Sequence, residues 1–221
     1  MEDIHKQLKD ILKIIDASEL QYWACGGTLL GAVRHKDFIP WDDDADIDML
    51  DTIENHEKIL YLEPYLNYLG YGLIPMYYGY KIFSLSGTKI KKDCWREHKR
   101  VFKEQHPLLD RPKIAKGASK TYVKPKTTQY HNYRYPYFDI FLVSEVGDKI
   151  IYNDASNKKF WYKKDELFPL KKAQFGDMQI PIPNNPLPHL FRGYGKDCLT
   201  TGKIYYDHKT EKIIPLKVFP L

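Results

Sequence analysis

With 221 residues, 43% of them hydrophobic, the chain has apolar material for one core and too little for two, so residues 1–221 read as a single domain. No stretch is apolar and long enough to span a bilayer, and three cysteines without a CxxC pair, Cys25, Cys94 and Cys198, argue against a disulfide framework or a four-ligand zinc site. The net charge of +5 hides an asymmetry: fourteen Lys and Arg stand against four Asp and Glu between Lys89 and Arg134, which leaves the rest of the chain at about −5.

In chain order, Met1 to Lys6 lacks the apolar run of a secretory signal, and a cytoplasmic setting is expected. Ile4, Leu8, Ile11, Leu12, Ile15 and Leu20 recur at helical spacing and predict an amphipathic helix. Gln21 to Cys25 reads as a short strand ending in a Gly26-Gly27 turn, after which Thr28 is expected to cap a helix through Val33. Ile47 to Leu50 alternates apolar and acidic residues with strand period. Thr52 to Leu69 is helical, interrupted at Pro64 and closed by Gly70, and Tyr71 to Ile74 and Tyr80 to Leu85 are strands. The basic stretch from about 89 to 134 reads as an insertion with one helix near Trp95 to Lys103. Its field would attract phosphates, anionic glycans, membrane surfaces or nucleic acid without choosing between them; a solvated loop is the alternative. Order resumes at Tyr137 to Val143, and the remainder is expected to be loop-rich with a short helix over Leu187 to Tyr194. Helices interleaved with short strands imply an α/β (α+β) domain with a mixed sheet.

Six aspartates fall within ten residues, Asp42 to Asp51. Such density is unfavourable unless the carboxylates reach water or a cation neutralises them. Trp41, Ala45, Ile47 and Met49 anchor the run to a core, so the side chains cannot all drift outward. On a strand Asp44 and Asp46 share a side, and oxygen-only ligands favour Mg²⁺ or Mn²⁺. An EF-hand is excluded, because Asp42-x-Asp44-x-Asp46 would place Ile47 where glycine is needed and Ile53 where glutamate is needed. Gly26-Gly27 before a helix offers bare backbone N–H groups to a phosphate, or is a plain tight turn.

The run Cys25-Gly26-Gly27-Thr28-Leu29-Leu30-Gly31-Ala32-Val33-Arg34, continued by Phe38-Ile39-Pro40-Trp41-Asp42-Asp43-Asp44-Ala45-Asp46-Ile47, resembles the signature of the LicD/fukutin family. Weaker similarity continues in Phe168-Pro169-Leu170, Phe175-Gly176, Ile182-Pro183-Asn184 and Tyr194-Gly195. The resemblance implies a nucleotidyltransferase-like mixed sheet flanked by helices. It implies a Mg²⁺- or Mn²⁺-dependent transferase that moves a phospho-alcohol, such as phosphocholine or a polyol phosphate, from a CDP-activated donor onto a glycan acceptor. Asp44, Asp46 and Asp139 become the catalytic metal-binding carboxylates; Gly26, Gly27, Thr28, Arg34 and Asp42 become the substrate- and nucleotide-binding set. Arg34 would hold a phosphate or, equally, bridge to Asp42 or Asp43. Asp48 departs from the family pattern, which has glycine there, and with Asp43 and Asp51 is expected to be a solvated neighbour. Nucleic acid is not expected as a partner. Two alternatives stand beside this reading: a nucleotidyltransferase that makes the activated donor, and a non-catalytic module binding anionic glycan or nucleic acid.

Overall fold

The computed structural model describes residues 2–76, 78–90, 133–153, 159–210 and 212–221. The helix expected near Trp95 to Lys103, and nearly all of the basic segment, lie outside the described residues.

The first helix, α1 (Glu2–Ala17), buries Leu8, Ile11, Leu12 and Ile15 at 4% exposure or less, the stripe that its periodicity implies. Strand β1 (Tyr22–Ala24) leads into α2 (Gly26–Arg34), and the acidic run ends in β2 (Ala45–Leu50). The expected helix at 52–69 is two, α3 (Ile53–Tyr61) and α4 (Glu63–Tyr68). The Thr52 side chain accepts from Asn55 N–H to cap α3, and Pro64 sits in the first turn of α4, where its missing N–H costs nothing. Strands β3 (Tyr71–Met76), β4 (Gly79–Lys89) and β5 (Arg134–Val146) follow.

These strands form one mixed sheet in the order β1-β2-β5-β4-β3, in which only the β2–β5 pair is parallel. The parallel pair is the centre of the sheet. One face carries Ala45, Ile47 and Met49 of β2 beside Phe138, Ile140 and Leu142 of β5, all buried against α1, α2 and the α3–α4 pair. The mixed α/β class expected from the sequence is the one observed. Among the described residues no helix is long and apolar enough to cross a membrane.

The C-terminal third differs from the expected loops. It contains β6 (Lys149–Tyr152), β7 (Trp161–Lys163), the short α5 (Lys164–Leu167), β8 (Lys171–Phe175) and β9 (Met178–Ile182). The helix α6 (Leu187–Tyr194) appears where expected, and a last hairpin, β10 (Thr201–Asp207) with β11 (Lys212–Pro220), closes the chain. The strands are short and carry prolines at 181, 215 and 220, which masks their alternation. Two Gly-Asp pairs were the readable signal: Gly147 and Gly176 both take positive φ, +64° and +59°, at the tips of the β5–β6 and β8–β9 hairpins. Phe138 is fully buried where β5 meets the helices. Its truncation to alanine is expected to cost about 3–5 kcal/mol, read as a shift in the urea midpoint at constant m-value.

Candidate active site

The opposite face of the β2–β5 pair carries charge. Parallel register places Asp46 directly beside Asp139, and Asp44 precedes β2 by one residue. Asp44, Asp46 and Asp139 each present a carboxylate oxygen within 4.8 Å of the others, with Asp44 and Asp139 both only 7% exposed. The structure therefore brings together the three carboxylates singled out in the sequence, from positions ninety-three residues apart. Burial and then mutual repulsion hold the Asp46 carboxyl well above the usual carboxylate range; burial raises Asp44 too, although His208 works against the rise. Asp42, beside them, is pushed up to about 8 by burial and then by the Asp44 charge. An all-oxygen donor set of this kind fits a hard divalent cation.

Helix α2 begins earlier than expected. Cys25 is its N-cap, both glycines lie in its first turn, and Thr28 is not a cap. The Thr28 hydroxyl, 1% exposed, instead accepts from Asp46 N–H at 2.8 Å, fixing the helix to β2. Gly26 has φ +53°, and a Cβ there would stand 2.5 Å from Asp46 Oδ2; a Cβ on Gly27 would stand 2.2 Å from Asp42 Oδ2. The glycines thus let a helix N-terminus press against the acidic strand, where its partial positive charge is favourable.

Two cations that sequence reasoning missed complete the cluster. Lys81 of β4 is the register partner of Asp139, and its Nζ lies 2.7 Å from Oδ1 and 2.9 Å from Oδ2 of that carboxylate. Tyr78 donates to Asp139 Oδ1 at 2.5 Å. Lys81 and Tyr78 satisfy the Asp139 carboxylate, so its burial is not by itself evidence for a cation. The readable signal was a lone lysine within the apolar run Gly79-Tyr80-Lys81-Ile82-Phe83. His208, at the β10–β11 turn, places Nδ1 2.5 Å from Asp43 Oδ1 and Nε2 3.2 Å from Asp44 Oδ2. Burial alone would lower its pKa, but Asp44, then Asp43 and Asp42, raise it to about 10. No local motif marks His208, since only the folded hairpin brings it to the cluster.

A cavity of about 370 Å³ opens beside the carboxylates, lined among others by Gly27, Arg34, Asp42, Asp44, Asp46 and Tyr205. Arg34 forms neither expected bridge to Asp42 or Asp43. Its Nη1 donates to the carbonyls of Cys198 and Thr201, at 2.6 and 3.2 Å, and the guanidinium lies over Trp41, 5.5 Å from the ring centre. Trp41 is a packing residue: it meets Phe219 edge-on and donates to Lys203 O.

Of the remaining aspartates, Asp48 and Asp51 are buried rather than solvated, while the Asp43 side chain is partly exposed. Asp51 pairs with His56 at 2.6 Å and accepts from Asn153 Nδ2 at 2.6 Å. Asp43 meets His208. Asp48 is 0% exposed, and its Oδ2 accepts from Tyr162 OH at 2.7 Å, Tyr152 OH at 2.9 Å and Trp23 Nε1 at 3.1 Å. Its Oδ1 has no hydrogen-bond partner of good geometry, with the buried Cys25 thiol the neighbouring group. Burial pushes the Asp48 carboxyl up to about 6, against the opposing pull of these donors.

A family model described as "LicD/FKTN/FKRP, nucleotidyltransferase domain" matches residues 19–72 and 89–185. The uncharacterized protein RT0683 of Rickettsia typhi is 30% identical over 195 residues, which is 86% of this chain and 45% of that protein. The chain thus spans about half the length of the curated relatives it matches most extensively. Human "Ribitol 5-phosphate transferase FKRP" is 42% identical over 50 residues, 22% of this chain and 10% of that one. The "Lipopolysaccharide cholinephosphotransferase LicD" of Haemophilus influenzae is 61% identical over 31 residues, 14% of this chain and 12% of that one.

Asp48 sets a pH dependence of stability. Its folded pKa, about 6, exceeds the unfolded value near 3.8, so the native state holds more protons between the two and stability falls as pH rises through that window. Relative to Asp48→Asn, the wild type is expected to lose on the order of 2–3 kcal/mol between pH 4 and 7. Urea unfolding of both proteins at the two pH values, without divalent cations, checks this; parallel profiles would show that Asp48 does not titrate there.

Proposed function

Because the chain belongs to the LicD/FKTN/FKRP nucleotidyltransferase-domain family, we propose that it transfers a phospho-alcohol group from a CDP-activated donor onto a glycan acceptor, using Mg²⁺ or Mn²⁺. The observation that carries this reading is the convergence of Asp44, Asp46 and Asp139, two of which, Asp44 and Asp46, line a cavity. The names of the human and Haemophilus relatives, a ribitol 5-phosphate transferase and a lipopolysaccharide cholinephosphotransferase, supply the class of group moved. Residues 1–221 would act as one domain.

In this reading Asp44, Asp46 and Asp139 hold the cation, which when bound neutralises the phosphate charge of the donor. Gly27 and the first turn of α2 border the space where those phosphates would lie. The acceptor hydroxyl oxygen attacks the phosphorus that carries the alcohol, and the bond from that phosphorus to CMP breaks. Asp42, on the cavity wall and outside the trio, would take the hydroxyl proton. Thr28 and Arg34 act as braces, the first on β2 and the second on the 198–201 segment.

The family description also keeps open a second reaction, transfer of the nucleotidyl group itself to make the donor. Labelled CTP and CDP-alcohols separate the two by product. Under the first reading CDP-choline, CDP-ribitol or CDP-glycerol raises the melting temperature with Mg²⁺ present and less without it. Asp44→Asn, Asp46→Asn and Asp139→Asn should each lower transfer by about 100-fold or more, since even groups that only support metal ligands are worth 10–100-fold. Absence of Mg²⁺-dependent binding by any cytidine nucleotide would sink the proposal.

A further inference from the structure

Lys81 is a charged group at the carboxylate cluster that the proposed reaction does not use. It sits among Tyr80, Ile82 and Phe83 in β4, is 3% exposed, and reaches both oxygens of Asp139. Its ammonium also lies 3.2 Å from the ring centre of Tyr137 and 5.0 Å from that of Tyr133. A buried lysine is costly unless paired, and here one carboxylate and two aromatic faces compensate it. Any cation shared by the three carboxylates must share Asp139 with Lys81, whose ammonium already contacts both of its oxygens. It must also lie within a few ångströms of a fixed positive charge in a poorly solvated place, where repulsion is strong. Phosphate groups reverse that sign, because their oxygens are attracted by the cation and by the ammonium together.

We propose that Lys81 couples the two binding events: by holding both oxygens of Asp139 it keeps affinity for a bare divalent cation low, so that the cation binds tightly only together with the donor's phosphates. The inference rests on the cation reading of Asp44, Asp46 and Asp139 given above. His208 does not have the same effect. It reaches only one oxygen of Asp44, leaving the other to a cation, and its side chain is 24% exposed, so its charge is better screened. Lys81 is 3% exposed, and its backbone is paired to that of Asp139 in mid-strand.

The test is isothermal titration with Mn²⁺, with and without CDP, on wild type, Lys81→Met and Lys81→Gln. The glutamine amide can still donate to Asp139, so this variant keeps the test open if methionine prevents folding. In the wild type, CDP should tighten Mn²⁺ binding by about tenfold or more. In the variants bare Mn²⁺ should bind about tenfold more tightly than to wild type, with CDP adding little. A lysine that merely props up Asp139 would move bare-cation affinity the other way. Weaker or unchanged Mn²⁺ binding in the folded variants, or coupling to CDP that persists in them, overturns the inference alone. A wild type that binds no Mn²⁺ with or without CDP overturns the cation reading itself, and this inference with it.

Discussion

The parallel pairing of β2 on β5 is the constraint on which the site depends. Register, not sequence proximity, sets Asp46 beside Asp139, and the chain enters β2 immediately after Asp44. Three carboxylates within 4.8 Å of one another, with Asp42 and Asp43 adjoining, concentrate charge that would oppose folding if left alone. Each neighbouring element supplies something against that repulsion. Strand β4 brings Lys81, the β10–β11 turn brings His208, and α2 brings its N-terminus close enough to need glycine at 26 and 27. The apolar face of the same two strands supplies the anchoring, since Ile47, Met49, Phe138 and Ile140 are all fully buried.

Asp46 and Asp48 share a strand and a face, yet they are put to opposite uses. Asp46 borders the cavity with few donors of its own. Asp48, two residues on, is enclosed by Trp23, Tyr152 and Tyr162, all donating to one oxygen. The ring of Tyr162 is held in turn by a stacked His189 of α6, 3.8 Å away. Asp48 therefore ties β1, β6, β7 and, through His189, α6 to the strand that bears the site. A glycine at this position would leave three buried donors without an acceptor, so the aspartate and its aromatic donors form a unit.

The legible parts of the sequence are those where pattern and local chemistry coincide. The α1 stripe, the alternation in β2, the strand at β5 and the helix at Leu187–Tyr194 follow from periodicity. The trio Asp44, Asp46 and Asp139 followed from alternation together with family resemblance. Lys81 and His208 were illegible because a counter-ion is chosen by space, and neither residue lies within thirty positions of the carboxylate it neutralises. The solvated reading of Asp48 and Asp51 failed for a related reason. Composition reports how many charges a segment carries, but not that Tyr152, Tyr162 and Asn153, a hundred residues downstream, arrive to satisfy them. The Gly26-Gly27 pair was read as a cradle for a phosphate or a plain turn; in the structure the carboxylates of Asp46 and Asp42 are what come close to it.

The wall of the cavity facing the carboxylates is a separate construction. It is the β10–β11 hairpin, and among its ties to the rest are three to the acidic segment and its helix. Arg34 holds the carbonyls of Cys198 and Thr201, Trp41 holds Lys203 O and packs on Phe219, and His208 holds Asp43 and Asp44. These contacts are made by side chains rather than by hydrogen bonds of the β2–β5 ladder, although His208 also meets the Tyr137 ring of β5. Side chains of β10 that face the cavity, Ile204 and Tyr205 among them, can therefore change without disturbing the spacing of Asp44, Asp46 and Asp139. A sheet that fixes the carboxylates and a hairpin that encloses the space beside them let the two be altered independently.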